Sequence, residues 1–498
     1  MDMNLSIINF TLFLLLASYT NGQQVIFDIR KYGASPNRDI TQALKNAWKD
    51  ACASTRAAKI LFPAITYKLA QVDLRGPCKA PIEVQVNGEL RAPANPDKLD
   101  GNAQWVKFTY INFFTLSGGG IFDGQGPTAW KQNDCGKNKN CKKLSMNFGF
   151  GFLNNSIVRD ITSKDSKNFH VNVLGCNNMT FVNFKITAPA TSLNTDGIHI
   201  GRSSDIKVIS SSIATGDDCI SLGDGSRHIN IFNVTCGPGH GISVGSLGKY
   251  TNEDPVEGLI VRNCTFKNTD NGVRIKTWPG TPGATTVSDL HYEDITMVNV
   301  RNPILIEQDY CPYNQCSRQT PSKVKISKVT FKKIKGTSAS PIGVTLVCSS
   351  GVPCERTQLS DIDLTFNGAP TTAKCVNVRP IIGCEEEELF GHREDERAEG
   401  GDVGLQGLAR DGHEVLGEGD ADLFCLVLLL EDTAVGPIVR AFMGADGVDE
   451  LVLGTAAVRG AIGEEDGGTA HAEEAVGDEH GAVVAEVPIE SDVLHAYY

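Results

Sequence analysis

Asp196, Asp218 and His240 stand at equal intervals of twenty-two residues, and two positions after each begins a short aliphatic run: Ile198-His199-Ile200, Ile220-Ser221-Leu222 and Ile242-Ser243-Val244. A repeat of that length built on strand-forming residues is one coil of a β-solenoid, in which equivalent positions of successive coils stack at about 4.8 Å. The repeat therefore brings two carboxylates and an imidazole into one file, with Asp217 beside Asp218.

The chain from Ile60 onward carries the same pattern. Short strands are broken by Gly, Asn and Asp, and coils are predicted to begin near Phe113, Phe152, Val171, Ile198, Ile220, Ile242, Val273, Ile304 and Val344. Second strands at 205–213, 228–236 and 258–266 lie between them. Several strands per coil joined by tight polar turns describe an all-β chain wound as a parallel β-helix. The longer intervals after Ile242 leave room for loops, and 249–256 is expected to wall a cleft. A solenoid must cover its first coil, whose open end exposes apolar side chains and unpaired backbone groups. Residues 25–32 read as an opening strand. Ile40, Leu44 and Trp48 then recur at helical spacing behind Asp39 as N-cap, so 39–52 is predicted to be an amphipathic helix serving as that cap. The glycine-rich run 118–126 reads as a tight turn and not a phosphate loop, because no helical pattern follows it.

Carboxylates held close together cannot all ionise, since each anion raises its neighbour's pKa. A retained proton beside an ionised carboxylate is what glycoside hydrolysis needs, an acid for the leaving oxygen and a base for the attacking water. Asp217 and Asp218 could instead hold Ca²⁺, but no full set of oxygen ligands with a recognisable loop spacing accompanies them. His240 lies between Gly239 and Gly241, where the chain can turn tightly and present the ring. Val273-Arg274-Ile275-Lys276 places two cations on one face of a strand. Paired cations beside an acid–base cluster suit a polymer that is itself anionic.

Four motifs in this order, Asn194-Thr195-Asp196, Gly216-Asp217-Asp218, Gly239-His240-Gly241 and Arg274-Ile275-Lys276, resemble those of the polygalacturonases of glycoside hydrolase family 28. The stretches 146–150 and 307–316 are similar to the plant pollen-type exopolygalacturonases in particular, and the resemblance covers about residues 25–384. It implies a right-handed parallel β-helix that hydrolyses α-1,4 links of de-esterified pectin with inversion. In that scheme Asp217 protonates the glycosidic oxygen, while Asp196 and Asp218 hold and deprotonate the water. His240 tunes Asp217 or touches the leaving sugar, and Arg274, Lys276, Tyr310 and Asn194 bind substrate. No metal or organic cofactor is expected. Exo action follows from the pollen-type likeness alone. Endo action, a Ca²⁺-dependent pectate lyase and a non-catalytic pectin-binding β-helix are the alternatives.

The resemblance also implies the disulfides Cys52–Cys78, Cys219–Cys236 and Cys348–Cys354, while proximity suggests Cys375–Cys384, Cys135–Cys141 and Cys311–Cys316. Bridges need an oxidising compartment. The apolar run 7–17, too short to span a bilayer, reads as part of a signal peptide covering 1–22, which predicts secretion to the cell wall with no membrane anchor afterwards. Sequons at Asn154, Asn178, Asn233 and Asn263 fit that route, some of them expected on buried turns.

The net charge of −13 conceals a division. The residues after Cys384 hold 29 acidic and 5 basic side chains, a balance of −24, which leaves +11 for the first 384. A basic body suits an acidic polysaccharide, and no zinc-finger, helix-turn-helix or RNA-binding signature points to nucleic acid. The catalytic domain is thus read as 23–384, acting as a monomer. Residues 385–498 form an acidic, low-complexity tail expected to be disordered or to reflect a shifted or fused reading frame.

Overall fold

The computed structural model describes residues 24–379, apart from 102, 136, 137, 139, 140 and 313–315, together with three short strands between 427 and 453. The main body is a right-handed parallel β-helix. Eleven parallel strands, one per coil, form the sheet that carries the site: β1 (Val72–Arg75), β2 (Val106–Thr109), β3 (Phe148–Gly151), β4 (Val171–Leu174), β5 (Ile198–Gly201), β6 (Ile220–Leu222), β7 (Ile242–Leu247), β8 (Asn271–Thr277), β9 (Asn302–Glu307), β10 (Ile342–Val347) and β11 (Thr372–Val376). A second sheet of 22 strands covers the remaining faces. In the last coils these faces run on as long strands, Thr286–Val300, Lys325–Ser338 and Cys354–Phe366.

Alternation along each strand decides what the coil buries. Phe150, Val173, Ile200, Leu222, Val244 and Ile275 are partners across β3 to β8 and form an inward column, each at most 1 % exposed. Their outward neighbours Asn172, His199, Ser221, Ser243 and Arg274 form a parallel polar column. Trimming Ile200 to Ala would cost about 2–5 kcal/mol, because neighbours above and below cannot collapse into the gap. The corner between the other two faces repeats a positive φ at Asp160, Asn183, Ser210, Asn233, Asn263, Asp294, Lys333 and Asp361. Asn and Asp dominate that row because their short polar side chains tolerate the left-handed conformation.

The predicted cap is present as α1 (Thr41–Cys52), which buries Leu44, Ala47, Trp48 and Ala51. Ile40 is its N-cap, and Asp39 still accepts the Thr41 amide at 2.9 Å. The opening segment splits into a strand, Val25–Asp28, and a 3-10 turn, Ile29–Tyr32. Two coil starts need correction. Phe113 and Phe152 lie at corners with φ of 57° and 54°, both exposed, and the floor strands of those coils are β2 and β3. Their bulk resembled strand residues, but the pleat had already ended. The glycine-rich run holds a strand at Ile121–Asp123, and a six-residue helix, Pro127–Gln132, does follow. Lys167 Nζ donates to the Gly124 carbonyl and Asp123 pairs with Lys164, an arrangement unsuited to phosphate.

Five disulfides are formed among the described residues: Cys52–Cys78, Cys135–Cys141, Cys219–Cys236, Cys311–Cys316 and Cys348–Cys354. Cys375 is also disulfide-bonded, but Cys384, its expected partner, lies outside the described residues. All four sequon asparagines are exposed, contrary to the expectation that some would be buried. The signal segment lies outside the described residues, as does most of the tail. Within the tail, Val427–Thr433, Gly436–Phe442 and Leu451–Leu453 pair as an antiparallel sheet in a separate unit, where composition had predicted no structure. No described helix is long and apolar enough to cross a membrane.

Candidate active site

The turns that lead into β5, β6 and β7 supply the acidic file. Each coil returns beneath its predecessor, as the register Ile198–Ile220–Ile242 shows. Asp196 and Asp218 therefore occupy equivalent positions two residues before their strands, and His240 continues the file. Asp196 is 6 % exposed and Asp218 1 %. Asp217 and His240 are more open, with side chains 25 % and 36 % exposed. Gly241, at φ 87°, lets the turn pass close to the next coil, because a Cβ there would stand 2.2 Å from the Asn271 carbonyl. The turn holding Asp217 is tied down by Thr215, whose Oγ1 donates to the Asp217 carbonyl at 2.9 Å.

Each carboxylate has a different set of partners, and so a different electrostatic state. Asp196 accepts from Ser221 Oγ at 3.0 Å, and Ser221 in turn meets His199 Nδ1 at 2.8 Å. Burial, followed by the charges of Asp217 and Asp218, holds the Asp196 carboxyl well above its ordinary range. Burial pushes Asp217 the same way. The hydrogen bond and charge of His240, at 3.0 Å, together with Lys276 reverse this and leave Asp217 below its ordinary value. His240 is correspondingly raised, first by its bond to Asp217. Its Nε2 lies 3.5 Å from Asp270. Asp196 is thus biased toward keeping its proton, and His240 toward carrying one beside Asp217.

Asp218 has both oxygens engaged, Oδ1 by Ser243 Oγ and Oδ2 by Lys276 Nζ, each at 2.8 Å. Burial works against the charge of Lys276, but Asp218 outweighs it and the ammonium is raised. Lys276 thus spends its charge on the chain's own carboxylate. Arg274 behaves alike: its Nε donates to Glu307 at 2.6 Å and its Nη2 pairs with the same carboxylate. Tyr310 lies against both cations, its ring centroid 5.1 Å from the Arg274 guanidinium and 5.6 Å from Lys276 Nζ. Asn194, at φ 56°, donates from its side-chain amide to Asn168 at 2.5 Å and so fixes the turn ahead of Asp196.

The fold brings together Asp196, Asp217, Asp218, His240, Arg274 and Lys276, leaves Asn194 bonded to Asn168 in the turn before Asp196, and adds several residues the motifs did not mark. Ser221 and Ser243 are visible in hindsight as the outward members of the repeating runs. Glu307 opens the 307–316 stretch, directly across from Lys276 in the register. Asp270 stands one coil beyond His240 and carries no sequence signal.

Asp217, Asp218 and His240 offer one ligand atom each within 4.8 Å of one another. A hard cation there would have to displace His240 from Asp217 and Lys276 from Asp218, so the donor set fits a metal poorly. Asp134 with Cys135 and Cys141 is a second group of metal-binding types, but both thiols are consumed in a disulfide.

Residues 52–385 match the family model described as glycosyl hydrolases family 28. The chain is 59 % identical over 375 residues to a polygalacturonase of Medicago sativa, covering 74 % of this chain and 89 % of the relative. It is 56 % identical over 348 residues to an exopolygalacturonase of Oenothera organensis, covering 69 % and 95 %. Among solved structures it is similar to the endo-xylogalacturonan hydrolase of Aspergillus tubingensis, with a TM-score of 0.63 at 25 % identity over 69 % of this chain and 93 % of that one.

Proposed function

The chain belongs to the glycosyl hydrolases of family 28, and from that premise we propose that it hydrolyses the α-1,4 links of de-esterified polygalacturonate, inverting the anomeric centre and working from a chain end. One observation carries the reading. Three carboxylates with different partners stand together with an imidazole, and two cations flank them. Asp217 delivers the proton to the glycosidic oxygen, with His240 as its reservoir: the proton crosses from Nδ1 to the carboxylate as the sugar displaces water. Asp196 and Asp218 hold the attacking water, and a carboxylate of the pair accepts its proton. Arg274 presents the donors that Glu307 leaves over to a uronate carboxylate. Lys276 acts through Asp218, Tyr310 offers its ring, and Asn194 steadies the turn. No metal or organic cofactor enters this scheme.

Exo action is supported by the likeness to the exopolygalacturonase of Oenothera organensis. We further propose that the protein is secreted to the cell wall and acts as a monomer on pectin.

The test is release of reducing ends from polygalacturonate with chelator present. Hydrolysis predicts activity without ultraviolet-absorbing ends, and monomer as the first product. Unsaturated ends, or binding with no cleavage, would favour the lyase or the non-catalytic reading. Asp217→Asn should abolish turnover and preserve folding, and normal activity in it would reject the assigned acid.

A further inference from the structure

Two phenyl rings stand at the surface where the catalytic scheme has no use for them. Phe113 is 52 % exposed and Phe152 37 %, both at corners with a left-handed φ. Large apolar side chains grouped at a surface mark a place that something covers. Phe152 already rests on Tyr110, their rings nearly parallel with centroids 5.0 Å apart. Phe113 meets no other ring among the described residues.

Asn154 stands between the two. Leu153 is fully buried and points inward, so its neighbours Phe152 and Asn154 both turn to solvent. From the preceding coil the Phe113 amide donates to the Asn154 carbonyl at 3.0 Å, and Asn112 pairs with Asn154 in the register. The Asn154 side chain forms no hydrogen bond among the described residues. Asn154-Asn155-Ser156 is a sequon, and the other three sequons are placed differently. Asn178 and Asn233 spend their amides on Asn155 at 2.8 Å and on Ser210 at 3.0 Å. Two residues before Asn263 lies the buried Val261, where Asn154 has an exposed ring.

We propose that Asn154 carries an N-linked glycan whose first N-acetylhexosamine lies over Phe113 and against Phe152. This rests on the reading above that the protein is secreted. In the transfer Asn154 Nδ2 bonds to the anomeric carbon of an oligosaccharide carried on a lipid diphosphate. The bond from that carbon to the diphosphate oxygen breaks, and the amide gives up one proton. Ser156 is 1 % exposed and its Oγ donates to the Asn154 carbonyl at 2.9 Å, so the sugar is joined before this coil closes. The C–H groups on one face of a pyranose are slightly positive and settle on the negative face of an aromatic ring. Covering Phe113 in this way removes apolar surface from water with no second protein. The turn follows β3, two coils ahead of the one led by Asp196, so the sugar leaves the acidic file open.

The experiment uses protein secreted by cultured plant cells. Peptide mapping should find carbohydrate on Asn154, and Asn154→Gln should lower Tm by about 1–2 °C, the size of one ring contact spread over roughly 350 residues. The same substitution is then made in Phe113→Gly and Phe152→Gly backgrounds, where glycine accepts the positive φ and only the ring is lost. There it should change Tm by less than about 0.5 °C, because the cycle cancels every effect the ring has apart from the sugar. An unmodified Asn154 beside another occupied sequon would overturn the proposal. An equal Tm loss with and without the rings would also overturn it, as would a dimer in solution that Phe113→Gly dissociates, which would put a second copy on the rings. Carbohydrate on none of the four sequons would instead reject the secretion reading, and this proposal with it.

Discussion

Replacing Lys276 by Met tests whether the lysine belongs to the catalytic scaffold or to the substrate. Met has nearly the same volume, so packing is kept while the ammonium 2.8 Å from Asp218 is lost. At that distance the attraction is about 6 kcal/mol for an effective dielectric near 20. Desolvation offsets part of it, and removing one member of a buried pair typically costs about 3–5 kcal/mol, since the other charge is stranded. Asp218 would keep only Ser243, in a pocket that leaves its side chain 2 % exposed. With an unfolding entropy of about 2.1 cal/mol/K per residue over roughly 350 residues, 4 kcal/mol corresponds to a Tm lower by roughly 5 °C. The loss should be full near neutral pH and shrink on acidification, as the stranded carboxyl takes up a proton. Thermal unfolding of the variant from pH 7 down to pH 4 measures both, and Asp218→Asn in the same chain should recover most of the loss. A Tm change below about 1 °C, or one indifferent to pH, would refute the reasoning and make Lys276 a free surface cation.

The Asp217–His240 pair makes a pH prediction with a definite sign. Asp217 is lowered and His240 raised, so the stabilisation is present above the unfolded carboxylate value near 3.8 and below the unfolded imidazole value near 6.5. It fades as pH falls through the folded Asp217 pKa or rises through that of His240. His240→Gln should move the basic limb of kcat/KM downward, because the proton to be delivered is then held by the Asp217 carboxyl alone and not by the raised imidazole, and an unmoved limb would break the coupling. Asp196→Asn should lose turnover yet raise Tm by about 2–4 °C at pH 7, since a carboxyl whose pKa is raised on folding destabilises the folded state at that pH and an amide does not; a lower Tm would contradict the repulsion. Cys219 and Cys236 are fully buried, whereas Cys135 and Cys141 are partly exposed. Mild reductant followed by alkylation should therefore label the second pair first, and the reverse order would contradict the burial pattern. Glycopeptide mapping of the secreted protein should find carbohydrate among Asn154, Asn178, Asn233 and Asn263, all exposed; fully unmodified asparagines in protein from a plant host would count against secretion.

Much of the architecture was legible in the chain because a solenoid is nearly one-dimensional. Each coil contacts only its neighbours, so equal spacing in number becomes adjacency in space, and Asp196, Asp218 and His240 could be placed in one file from their interval alone. The alternation of Ile198, His199 and Ile200 likewise told which side chain faces in, since a strand repeats every two residues. Phe113 and Phe152 were misread because an aromatic residue at a corner looks like one in a strand until the backbone angle is known. The short helix at Pro127–Gln132 was missed because six residues show too little periodicity.

What the sequence could not determine was the division of charge within the file. Three aspartates in a row look equivalent on paper, and only the folded surroundings separate them: Asp196 meets a serine hydroxyl, Asp217 an imidazole, Asp218 an ammonium. Nor could spacing show that Lys276 and Arg274 are already engaged by Asp218 and Glu307, because side-chain reach depends on neighbours from other coils. Periodicity determined which residues meet. The partners supplied by adjoining turns, and the burial they impose, decided which neighbour balances each charge.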